Sequence, residues 1–233
     1  MPDPTTLVAA VVFALAALIP LCGRTLLRPL TWVCLIVGAA TWFLAREAPV
    51  IVWDEGVGPM IGLAGPPALI LRIMIAAGIA EVLKATAPLA AVSLVATDAS
   101  TAIAYGAAAG AGFGIFGALP VVARTLQLVG SPIVTPFSTA MALVGWFLVV
   151  LSHVATTAYV TRAGVRGGLA LAFFVAWLLQ VFLGLADAVA GEPLPAFGGV
   201  TPKFLVTLII AVCLFAYLWI VRARAGSVAV MES

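Results

Sequence analysis

Apolar residues fill the chain in long runs, broken by short polar punctuation and not by an alternation of period two. The uninterrupted runs extend from Thr5 to Cys22, Leu30 to Ala45, Pro67 to about Ala87, Thr101 to Ala123, Pro132 to about Val160, Gly168 to Leu185, and Phe204 to Val221. Such runs are long enough to cross a bilayer as helices, because ~20 apolar residues span its ~30 Å hydrocarbon core. The pattern predicts an all-α, polytopic transmembrane bundle of about seven helices, with 1–233 forming a single integral-membrane domain. The segment from Arg46 to Pro66 mixes Trp53 and Met60 with Gly and Pro, and is expected to lie at the interface as an irregular, amphipathic or re-entrant stretch.

Composition agrees with the pattern. Of the 233 residues 64% are hydrophobic and 9% charged, whereas a soluble domain carries about 25% charged residues. The mean hydropathy is +1.26, and a water-soluble globule is excluded. A net charge of +2 with scattered basic residues gives no nucleic-acid surface; the partner implied is the lipid bilayer. Cys22, Cys34 and Cys213 lie in or beside apolar runs without paired spacing, so neither a disulfide framework nor a metal site is expected. No cofactor is implied.

The first run is expected to persist as an anchor, since Asp3 and no Lys or Arg precede it while Arg24 and Arg28 follow. Basic residues near helix ends stay cytoplasmic. With the N-terminus outside, Arg24, Arg28, Arg162, Arg166, Arg222 and Arg224 fall inside. Arg46, Arg124 and Lys203 then fall outside with Glu47, Asp54, Glu55, Asp187 and Glu192. The expected topology is N-out and C-in, in the plasma (inner) membrane of a prokaryote.

An ionisable group in hydrocarbon costs a few kcal/mol and calls for a reason. Arg72, Glu81 and Lys84 lie on the third predicted helix and His153 on the fifth. Arg72, near the helix start, is expected to snorkel to the outer headgroups. Glu81 and Lys84 share a helical face, Lys84 being expected to snorkel inward while the short stem of Glu81 keeps it in the bundle. Two readings of the acid stand side by side: a Glu81–Lys84 pair that pins packing, or a proton acceptor that meets His153 across the bundle. On the fourth helix Gly106, Gly110 and Gly114 repeat every four residues, predicting close approach of another helix. Gly112 to Gly117 also spells GxGxxG, but without a preceding strand or a following acid it is no nucleotide loop.

The string Ala80-Glu81-Val82-Leu83-Lys84, followed by Tyr105-Gly106-Ala107-Ala108-Ala109-Gly110-Ala111-Gly112-Phe113-Gly114, resembles the core of the PrsW family of intramembrane proteases. Those proteins are akin in fold to the CAAX-processing membrane proteases and to the multi-span scaffold subunit of gamma-secretase. The resemblance covers 78–184. It implies an EExxK motif on one helix, YGxxxGxGFxxxEN on the next, and one histidine on each of two later helices. Glu81 and Lys84 match the first motif, but Ala80 stands at its first Glu, and Gly117 and Ala118 stand at the Glu-Asn pair. The family histidines fall near Ser138 or Thr139 and on Gln180, with Gly184 at the position of a family Asn; His153 matches neither.

A catalytic zinc needs about three protein ligands, which one His and one Glu cannot supply. Ser152 beside His153 faces away from it on a helix, and Asp98 and Asp187 lie at membrane edges. The principal expectation is therefore a PrsW-like fold with impaired catalysis, acting as a binding or scaffold subunit that holds a transmembrane partner or substrate helix on its glycine face. Two alternatives are a divergent active protease using Glu81 with His153, and a small proton-coupled transporter in which Glu81 titrates; the candidate catalytic residues are Glu81, Lys84 and His153.

Overall fold

The computed structural model describes residues 4–95, 98–127, 136–189 and 202–231. Among them there is no strand, and seven long helices form the bundle: α1 (Pro4–Cys22), α2 (Pro29–Ile51), α3 (Gly65–Leu94), α4 (Ala99–Gln127), α5 (Pro136–Arg166), α6 (Leu169–Val189) and α7 (Pro202–Met231). Five helices among the described residues are long and apolar enough to cross a membrane. The outer surface of the bundle is a coat of large apolar side chains, including Ile36, Phe43, Phe174, Phe182, Ile209 and Trp219. A coat of that extent requires hydrocarbon around it. The chain is an all-α integral membrane bundle.

Local chemistry sets the helix ends. Asp98 accepts the backbone N–H of Thr101 at 2.6 Å and caps α4. Proline begins α2 at Pro29, where its missing N–H costs nothing. Gly167 and Gly168, at φ +93° and +82°, make the tight reversal between α5 and α6, with the Gly167 N–H donating to the Ala163 carbonyl at 2.9 Å.

Several helices outrun the sequence expectation: α7 reaches Met231 where the apolar run ends at Val221, α5 reaches Arg166 where it ends at about Val160, and α2 and α3 do so across a proline. The apolar runs of α2 and α3 end at Ala45 and near Ala87, yet both helices continue through a proline, Pro49 and Pro88, to Ile51 and Leu94. The segment from Arg46 to Pro66, expected to be an irregular, amphipathic or re-entrant interfacial stretch, is mostly helical: a π-helical turn (Val52–Val57) and a short helix (Gly58–Ile61) follow α2 directly. In lipid an unpaired backbone group is expensive, so a helix persists across proline where neighbouring groups can absorb the lost bond. The fifth run, predicted from Pro132, begins outside the described residues.

α4 is the centre of the bundle. From Thr101 to Gly114 every residue is buried, the signature of a helix covered on all faces. Gly106, Gly110 and Gly114 face α5: a Cβ on Gly106 would come within 2.6 Å of the Ala158 Cα, and one on Gly110 would overlap the His153 carbonyl. On the opposite face Gly112 lies against the Leu35 carbonyl of α2, and Gly38 of α2 lies against Ala109. α5 answers with Thr156, Thr157 and Thr161, all buried, whose hydroxyls donate to carbonyls of their own helix, Thr157 to His153 and Thr161 to Thr157, both at 2.8 Å. The glycine face expected to receive a partner helix is thus filled by this chain's own α5.

Candidate functional site

The ionisable residues of α3 and α5 meet in the interior. Lys84 is fully buried and Glu81 is 1% exposed. The Lys84 Nζ donates to Glu81 Oε1 at 2.5 Å and reaches His153 Nδ1 at 3.2 Å. Gln180 of α6 brings its Nε2 to the same Nδ1 at 3.3 Å. Paired with the Glu81 carboxylate, Lys84 is an ammonium that carries donors only, which makes Nδ1 the acceptor and assigns the imidazole proton to Nε2. Phe113 of α4 closes the cluster, its ring centroid 5.3 Å from the Lys84 Nζ and 5.0 Å from the His153 ring.

This arrangement corrects one expectation. Lys84 does not snorkel to the membrane edge; α3 runs to Leu94, which leaves Lys84 about 15 Å of helical rise from that end, beyond its stem. Glu81 and His153 are drawn together as the sequence suggested, with Lys84 bridging them. Arg72 stays near the start of α3, half exposed, 3.8 Å from Asp54. Ser152 donates its hydroxyl to the Val149 carbonyl at 2.8 Å and forms no dyad with His153. Asp98 serves as the α4 cap; the side chain of Asp187, and Glu192, lie outside the described residues. Among the described residues no three His, Cys, Asp or Glu side chains gather as metal ligands.

Beside the cluster lies a cavity of about 430 Å³. Its walls come from Ala76, Ala77 and Ala80 of α3, Phe113 of α4, His153 of α5, Gln180, Leu183 and Gly184 of α6, and Thr207 of α7, with Trp42 and Arg46 of α2 at the rim. Glu81 and Lys84 stand behind the wall. Trp177 fixes α6 against α3 by donating to the Met74 carbonyl at 2.8 Å. No family model, curated protein or solved structure matches this chain. The site therefore has to be read from its own geometry.

The size of the cavity falls among sites for small molecules, roughly 300–1,000 Å³. A membrane-crossing helix, ~30 Å long and about 10 Å across, is several times too large for it. Sequence reasoning named Glu81, Lys84, His153 and Gln180, but missed Trp42, Arg46 and Phe113 as neighbours of the site. Phe113 was legible in part, as the aromatic that ends the Tyr-Gly…Gly-Phe string. Nothing in the spacing pointed to α2 as the rim.

Proposed function

We propose that this chain is a membrane-embedded binding protein on a PrsW-like bundle, one that keeps the pocket of an intramembrane protease and has lost its chemistry. One observation carries the reading. Ala80, Gln180 and Gly184, the positions at which the resemblance implies a carboxylate, a histidine and an asparagine, come from two separate helices and line one cavity together with His153.

The surviving groups are poorly placed for hydrolysis. A general base has to reach the water or proton it activates, whereas Glu81 is 1% exposed, engaged by Lys84, and set behind the cavity wall. The lone pair of His153 at Nδ1 is taken by Lys84 and Gln180. The same enclosure disfavours proton-coupled transport, which needs Glu81 to exchange protons with water. The basic ends near Arg28, Arg162 and Arg222 gather at one end of the bundle, where Arg222 donates to the Cys22 carbonyl at 2.6 Å and Arg162 to the Tyr217 hydroxyl at 3.1 Å. The positive-inside rule makes that end cytoplasmic.

Two measurements on purified protein in bilayer discs test the reading. Native mass spectrometry is expected to find a bound small molecule that Ala80→Trp removes, and a fluorogenic transmembrane peptide is expected to remain intact. Cleavage that disappears on Glu81→Gln would overturn the reading in favour of an active protease.

A further inference from the structure

The wall of the cavity is mostly apolar, with four alanines beside Ile73, Phe113, Val149 and Leu183, and it includes two polar residues with unused hydrogen-bonding capacity. Lys84 holds His153 Nδ1 as an acceptor, so the Nε2–H points to no partner among the described residues. Gln180 uses its amide nitrogen on the same ring, and its carbonyl oxygen has no partner among them either. Thr207, the other polar residue there, is already engaged. One free donor and one free acceptor therefore belong to residues of two helices, α5 and α6, that line the same largely apolar cavity.

Among the described residues the charges near this hole are balanced. Glu81 and Lys84 neutralise each other behind the wall. Arg46 at the rim is held 3.5 Å from Glu47 and lies over the Trp42 ring at 5.7 Å. An ionised ligand would bring an uncompensated charge into the bundle interior. A plain hydrocarbon would leave the His153 donor and the Gln180 acceptor desolvated and unpaired. A carboxylate accepts only and an ammonium donates only, but a hydroxyl or a primary amide does both.

Resting on the pocket-without-peptidase reading, we infer that the cavity binds an uncharged amphiphile, a hydrocarbon chain whose hydroxyl or primary amide pairs with His153 Nε2–H and the Gln180 carbonyl. The chain lies along Ala76, Ala80 and Leu183, and the polar group sits inward, the reverse of a lipid anchored by its head at Arg46.

The test is photolabelling of the full chain in phosphatidylcholine discs with a diazirine-bearing hexadecan-1-ol. Labelled peptides are expected to include 76–80 or 183–184. Dodecan-1-ol and dodecanamide should compete at concentrations at least tenfold lower than dodecanoate, dodecylamine or dodecane. Gln180→Leu should cut labelling at least fivefold, and Ala80→Trp, which fills the cavity and leaves the buried pair alone, should abolish it. Equal competition by the carboxylate, the amine or the alkane overturns the inference, as does labelling that survives Ala80→Trp or is absent from the cavity. Any of these results without peptide cleavage defeats the ligand assignment alone; peptide cleavage defeats the reading beneath it.

Discussion

A lysine with no exposed surface is costly to hold in a membrane bundle, and the neighbours of Lys84 show how it is tolerated. Lys84 finds a carboxylate on its own helix, an imidazole nitrogen from α5 and an aromatic face from α4. Removing one member of a buried ion pair strands the other charge, at a cost of about 3–5 kcal/mol, whereas replacing both with apolar residues is often neutral. Lys84→Met should therefore destabilise the protein by that amount, and Glu81→Leu with Lys84→Met should cost much less than either single change. Unfolding in detergent mixtures measures this; a double variant as damaged as the sum of the singles would contradict the pairing. The pair was legible in the sequence from its spacing of three residues, but its depth was not. That depth follows from α3 continuing past Pro88, which no local signal announced.

At the level of elements, two opposite glycine faces let α4 sit between α5 and α2 at backbone contact. Overpacking such a contact costs roughly 1–3 kcal/mol. Gly110→Ala and Gly112→Ala should each lose about that much, since both added methyls would meet backbone. Gly145→Ala should be close to neutral, because its nearest neighbour, a Phe204 ring carbon, would lie 3.5 Å away; thermal unfolding of the three variants separates these cases. The four-residue glycine spacing announced a close helix contact, yet not which helix makes it. The partner is α5, whose Val150, His153, Val154, Thr157 and Ala158 meet the three glycines, and glycine spacing alone carries no information on which helix fills the groove. The helix existence and order were readable because lipid demands long apolar runs. The ends of α2 and α3 were not, because proline ends helices in water more reliably than in a membrane.

For the whole molecule, the basic residues collected at one end fix the proposed orientation. With the native cysteines replaced by alanine, Met60→Cys in intact cells should react with an impermeant thiol reagent, and Gly167→Cys only after permeabilisation; the opposite pattern would invert the topology. The central claim is that α3, α5 and α6 join through a buried Glu81–Lys84–His153–Gln180 cluster beside one cavity. The sequence contains a single histidine, so labelling histidine and lysine with ¹⁵N and recording solid-state NMR spectra in bilayers reads that cluster without ambiguity of assignment. The account predicts an imidazole protonated at Nε2 alone, with Nδ1 in through-space contact with a lysine Nζ that Lys84→Met removes. A proton on Nδ1, or an imidazole with no lysine beside it, would contradict it.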